Sequence, residues 1–171
     1  MAVILLAAPG ARATLIGDNV TCDIIPSSLW ACDAATATVV DPGKEFTLLL
    51  TGNARFDVDI GASSIDLLHV GTNGLQLGAG EVVTFGDLDW VGLNGMIVGF
   101  SLTTGGTTGL VASDVTFTDH SLSIDLDNGA QYDPDAFINI DLDVVHTPIP
   151  EPATMGLFLA GLAAFGTRRR A

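Results

Sequence analysis

Basic side chains are almost absent from the body of this chain. Six Lys and Arg face twenty Asp and Glu, a formal charge of −14 at neutral pH, and four of the six are Arg12, Arg168, Arg169 and Arg170, near the two ends. Between Thr14 and Thr147 only Lys44 and Arg55 oppose the carboxylates. A surface this negative repels phosphate backbones, which argues against nucleic acid as a partner and leaves divalent cations or solubility as the reason for the acids. Cysteine is scarce as well, with Cys22 and Cys32 the only two. Two thiolates with no nearby His do not fill a zinc tetrahedron.

The signatures of catalysis are also missing. There is no G-x-S-x-G, no H-E-x-x-H and no P-loop. The three histidines, His69, His120 and His146, are scattered. Asp119-His120-Ser121 has the residue types of a triad, but neighbours on a strand point to opposite faces and cannot serve one another. A glycosidase needs two carboxylates in one cleft, and nothing in the sequence singles out such a pair. The expectation is a protein without enzymatic activity and without an obligatory cofactor.

What is present is enough apolar material for one folded domain: 48% hydrophobic residues, only 15% charged, over 171 positions. From Thr14 to Thr147 the apolar residues recur with period two, and no helical stripe exceeds two turns. Strands are expected at Phe46 to Thr51, Arg55 to Ile60, Ile65 to Val70, Val82 to Phe85, Gly95 to Thr103, Val115 to Thr118, Ser121 to Leu126 and Phe137 to Val144. Glycine-rich segments separate them, among them Gly71-Thr72-Asn73-Gly74 and Thr104-Gly105-Gly106-Thr107-Thr108-Gly109. They read as loops because glycine supplies the positive φ that tight turns need. Short strands with such turns point to an all-β fold, an antiparallel β-sandwich of which a jelly roll is one form.

Asp-x-Asp recurs at Asp57/Asp59, Asp87/Asp89, Asp125/Asp127, Asp133/Asp135 and Asp141/Asp143. Residues two apart on a strand share a face, so each pair sets two carboxylates side by side, away from the core. One reading is a solvated acidic face that discourages aggregation. The other is calcium, which takes six to eight oxygens, with Asp125, Asp127, Asp133 and Asp135 around Asn128-Gly129 as its site. The spacing is not that of an EF-hand. Trp90, two residues after Leu88, is expected on the core side, whereas for Trp30 packing and ligand binding both stay open.

The two ends read differently. Residues 1–13 are a short apolar run, a Pro-Gly break and Ala11-Arg12-Ala13, an A-x-A site. They are expected to be the remnant of a secretory signal peptide whose basic region lies further upstream, with cleavage after Ala13. In an exported chain an even cysteine count implies a disulfide, here Cys22 to Cys32. At the other end Met155 to Gly166 carries no charge and is followed by Arg168, Arg169 and Arg170. A helix from Ala153 to Thr167 reaches ~22 Å, short of the ~30 Å hydrocarbon core, and spans it with the help of snorkelling arginines. The arginines place the tail end in the cytoplasm and the domain outside.

The order Pro150-Glu151-Pro152, apolar stretch, arginine cluster over residues 148–171 resembles the PEP-CTERM sorting signal of Gram-negative bacteria. The resemblance implies that Pro150, Glu151 and Pro152 are recognised by an exosortase, an integral-membrane enzyme that cuts near the motif. It implies that Met155 to Gly166 is the transmembrane helix and Arg168 to Arg170 the cytoplasmic stop. The precursor would sit in the inner membrane and the product on the cell surface or in an extracellular matrix, with exopolysaccharide and biofilm as its setting. Two prolines around a glutamate hold the backbone extended, as proteolytic sites require. The domain at 14–147 is then expected to be a structural or adhesive β-sandwich, the alternatives being a calcium-assisted carbohydrate-binding module and a polysaccharide-active enzyme.

Overall fold

The computed structural model describes residues 14–26, 30–50, 55–76, 80–92, 94–126 and 128–146. Twelve strands run through them: β1 Asn19–Ile25, β2 Trp30–Cys32, β3 Thr36–Thr38, β4 Phe46–Leu50, β5 Arg55–Ile60, β6 Ser64–Val70, β7 Leu75–Gln76, β8 Val82–Gly86, β9 Gly95–Thr108, β10 Val115–Thr118, β11 Ser121–Asp125 and β12 Gln131–His146. The only helical element among the described residues is a 3-10 turn at Ala112–Asp114. All strand pairs are antiparallel, in two sheets. One is ordered β10-β11-β8-β1-β3. The other runs β2-β4-β5-β6-β12, with β7 beside β6 on one flank of β12 and β9 along the whole of the opposite flank.

The two sheets face one another because their strands are two-faced. In β5, Phe56, Val58 and Ile60 are buried while Arg55 and Asp59 are exposed. The inner rows Val20, Cys22 and Ile24 of β1, Val83 and Phe85 of β8, and Leu122 and Ile124 of β11 belong to one core with Phe46, Leu48, Ile65, Leu67, Ile138 and Ile140 of the second sheet. Phe46 and Phe85, one from each sheet, have ring centroids 6.1 Å apart. Full burial of each such side chain contributes roughly 1.5–3 kcal/mol.

One end of the core is aromatic. Phe56 lies 5.7 Å from Trp30, 5.3 Å from His69 and 5.0 Å, edge-on, from Tyr132. Tyr132 donates its hydroxyl to the Leu126 carbonyl at 2.8 Å, so its polar tip is satisfied inside. His69 is fully buried. Its Nδ1 lies 2.8 Å from the Asp133 carbonyl, which only accepts, so Nδ1 carries the proton. This histidine is a packing residue, as is Trp30, only 4% exposed. Trp90 is buried beside Leu88, as its spacing suggests.

Cys22 and Cys32 are joined, with Cα atoms 6.1 Å apart. The bond ties β1 of one sheet to β2 of the other. Of the four Asp-x-Asp pairs that are fully described, Asp57/Asp59 and Asp141/Asp143 lie on regular strands as expected, whereas Asp87/Asp89 follow β8 outside any strand and Asp133/Asp135 fall in the irregular part of β12. All eight are exposed or half-buried; Asp127 of the fifth lies outside the described residues. The Thr104 to Gly109 segment does not form a loop. Strand β9 continues through Thr108, paired with β12, and the glycines serve a bulge. The register slips between Tyr132 and Phe137, Gly106 takes φ +64°, and a side chain at Gly105 would collide with the Phe137 ring. Glycine inside a strand marks such close approaches.

Removing the disulfide, as Cys22→Ala with Cys32→Ala, is expected to cost about 3 kcal/mol by the chain-entropy estimate for so short a loop. Urea denaturation of both proteins measures it, and a difference near zero would mean that the bond constrains nothing the sheets do not already hold.

Candidate functional site

The outer face of the larger sheet carries the most organised surface. A trough of about 360 Å³ runs over β5, β6 and β12, with Leu68 and Phe137 on its floor and Lys44, Asp57, Asp59 and Asp66 around it. Leu68 and Phe137 are 45% and 44% exposed and stand opposite one another in register. Asp59 and Asp66 are also directly opposite, across β5 and β6. Asp66 accepts from the Asn139 amide at 2.6 Å and from the Ser64 hydroxyl at 3.3 Å. Lys44 and Arg55 both turn to Asp57, at 3.1 and 3.5 Å.

Electrostatics on this face follow from that arrangement. Partial burial, then the carboxylates of Asp66 and Asp41, hold the Asp59 carboxyl above its ordinary value. Burial also raises Glu45, against the lowering effect of amides it accepts from, Val40 at 2.9 Å and Ile60 at 2.7 Å. Chemically the trough offers an apolar floor edged by carboxylates and the Lys44 ammonium, with the Asn139 amide held against Asp66 beside it.

A second cavity, about 480 Å³, lies where β8 runs toward β9 and is lined by Asp89, Trp90, Asn94, Gly95, Met96 and His120. His120 occupies the turn of the β10–β11 hairpin, and its Nδ1 is 3.0 Å from Asp89 Oδ1 and 3.3 Å from the Leu88 carbonyl. Its chain neighbours do other work: the Ser121 hydroxyl meets that of Thr118 at 2.7 Å, and the Asp119 carbonyl accepts from Ile97 at 2.9 Å. The pairing of His120 with Asp89 has no signature in spacing, because it depends on how two hairpins meet. Below it, Asp18 accepts from the Asp89 amide at 2.8 Å. Burial, and behind it the charges of Asp89 and Asp87, raise the Asp18 carboxyl.

The four-aspartate set is not gathered by the described chain. Asp125 ends β11, half-buried; Asp133 and Asp135 are exposed in the irregular part of β12, where Asp135 has φ +60°; Asp127 lies outside the described residues. Among the described residues no group of three or more His, Cys, Asp or Glu comes together as a metal ion would require.

Strand β12 ends at His146, paired with Gly95, and leads directly into the tail. Pro150, Glu151, Pro152, the apolar segment and Arg168 to Arg170 lie outside the described residues, as does the signal-like stretch 1–13. No helix among the described residues is long and apolar enough to cross a membrane. Residues 148–170 match the family model of the PEP-CTERM protein-sorting motif. This chain carries a PEP-CTERM sorting tail. No curated protein and no solved structure matches it. The PEP-CTERM motif implies processing by an exosortase, and it implies an exported protein that is anchored in the membrane as a precursor. The β-rich domain at its N-terminal side is the part so exported.

Replacing Asp59 with Asn tests the electrostatics of the outer face. A carboxyl raised in the folded state favours folding below its unfolded value, and that contribution is lost as pH rises through the folded value. Asp59→Asn is therefore expected to raise the melting temperature modestly at neutral pH, with the gain vanishing once the pH falls below the carboxylate range. An equal gain at both pH values would show that packing and not charge is responsible.

Proposed function

We propose that the protein is a non-enzymatic component of the cell envelope or extracellular matrix, delivered by exosortase and acting there through its sandwich as a structural or adhesive body. The sorting tail carries this reading. A disulfide between the sheets and a densely acidic exterior support it, since both suit a protein that works in an oxidising space outside the cytoplasm. The jelly-roll form, the inner membrane as the precursor's site and a biofilm setting belong to the same reading.

Its test is fractionation of cells making the chain with Pro150, Glu151 and Pro152 all changed to Ala. The expected outcome is an unprocessed precursor that accumulates in the membrane. The same processed form in the same fraction would sink the sorting claim.

A second reading, carbohydrate binding, is favoured by one observation: the exposed Phe137 ring beside the Asp66–Asn139 couple. Sugar rings stack their C–H faces on aromatic rings while carboxylates and amides take their hydroxyls. Exopolysaccharide is the corresponding partner, and Phe137→Ala is expected to abolish retardation of the protein in gels containing a neutral polysaccharide. Equal mobility of both proteins with and without the polymer would remove this reading. Calcium, held by Asp125, Asp127, Asp133 and Asp135, would be its assisting ion. Calorimetry with neither a heat of binding nor a shifted melting temperature on adding calcium would delete the ion from it.

A further inference from the structure

A sheet ends in edges, and an edge strand leaves a row of amides and carbonyls without partners. Among the described residues most edges are short: β2 and β3 have three residues each, β10 has four and β7 two. The long edge, β9, has fourteen. Strand β12 occupies one side of it throughout. On the other side only the beginning is covered, where Ile97 donates to the Asp119 carbonyl at 2.9 Å and Phe100 meets Phe117 edge-on at 5.9 Å. Beyond that point, over 101–108, no described residue from another strand bonds to the free side of the backbone. The seam between β9 and β10 is correspondingly open: Leu102 and Phe100 are only half-buried, and Phe117 is 40% exposed.

Charge makes this edge unlike the rest of the molecule. No Asp, Glu, Lys or Arg occurs between Asp89 and Asp114, the longest uncharged stretch in the chain. Edge strands are ordinarily guarded by lysines, prolines or inward-pointing charges, and β9 has none. Its register slips at both ends, next to Asp143 and next to Phe137, and between the slips Gly99 to Gly105 form a regular run paired with Phe137 to Asp143.

We propose that β9 is a homotypic interface, two copies pairing β9 with β9 antiparallel about a two-fold axis and covering the open seam at Phe100, Leu102 and Phe117. Charge and symmetry select the occupant. A copy with fourteen excess negative charges is repelled by outer faces that carry Asp59, Asp66 and Asp141, and the uncharged edge is where like molecules approach at least cost. Antiparallel pairing of a strand with itself is self-complementary, so the contact closes on a dimer and does not propagate into a fibre.

The test uses the full chain in mild detergent. Sedimentation is expected to give a dimer that dissociates on dilution, and amide exchange over 101–108 is expected to slow as concentration rises. Thr104→Lys places an ammonium on the inward side of the edge, where a lone molecule lets it reach water and an added strand would trap it. That variant is expected to be a monomer, while Thr36→Lys on the short edge β3 stays a dimer. A monomeric parent chain, or a dimer that survives Thr104→Lys, as association through the tail would, overturns the proposal. Should Thr104→Lys fail to fold, exchange in the parent decides: protection over 101–108 that does not change with concentration overturns it equally.

Discussion

Phe56 sits where the two sheets are tied together. Its ring is enclosed by Trp30 from β2, His69 from β6 and Tyr132 from β12, so three strands of one sheet converge on a single side chain. Strand β2 is only three residues long and pairs with β4 alone. So short an edge strand has little stability of its own. What fixes it is that Trp30 and Cys32, two residues apart, both turn inward, one to the aromatic group and the other to Cys22 on the opposite sheet. Both cysteines, Trp30, His69 and the single tyrosine thus meet at one corner, where the disulfide joins the two sheets.

The exterior obeys a different constraint. Period-two strands with carboxylates at alternate positions put nearly every acid outside, and the described domain has just two lysine or arginine side chains to answer them. Both Lys44 and Arg55 go to the same carboxylate, Asp57. Asp59 and Asp66 are left facing each other across β5 and β6, with Asn139 sharing the load on Asp66. The fold tolerates this because the pair is partly solvated and screened. It also means that repulsion between copies is built into most of the surface and spares β9.

The strands were legible to the degree that they are long and regular. Arg55–Ile60 and Val115–Thr118 have the bounds their alternation indicates, β6, β8 and β11 differ by a single residue at one end, and β4 agrees from Phe46 to Leu50, the expected Thr51 lying outside the described residues. Strands β2, β3 and β7, at two or three residues, are too short to display a period. In β1 the inward row Val20, Cys22 and Ile24 does alternate, but Asp23 and the cysteine give it little apolar contrast. Strand β12 extends past its apparent start because Pro134 lies in the register slip, where the missing N–H costs no ladder bond. The trough was not legible, since Asp66 meets Asn139 only through the β6–β12 register, and no spacing in the sequence encodes that register. The sorting tail was legible because its signal is linear: a motif, an apolar run and arginines, in order.

That linearity has a structural counterpart at the junction. Strand β12 is an interior strand, held by β6 and β7 on one flank and β9 on the other, and its last pair is His146 with Gly95. The Pro-Glu-Pro motif begins four positions later, after every described ladder pair has been made. Its prolines have no N–H to donate to a ladder. The last buried side chain of β12 is Leu142, further back still. A cut near Pro150 therefore leaves every described ladder pair and every described core residue on its N-terminal side. Every residue that holds the described sheets together thus lies on the N-terminal side of the motif, so folding and sorting are assigned to separate segments of the chain.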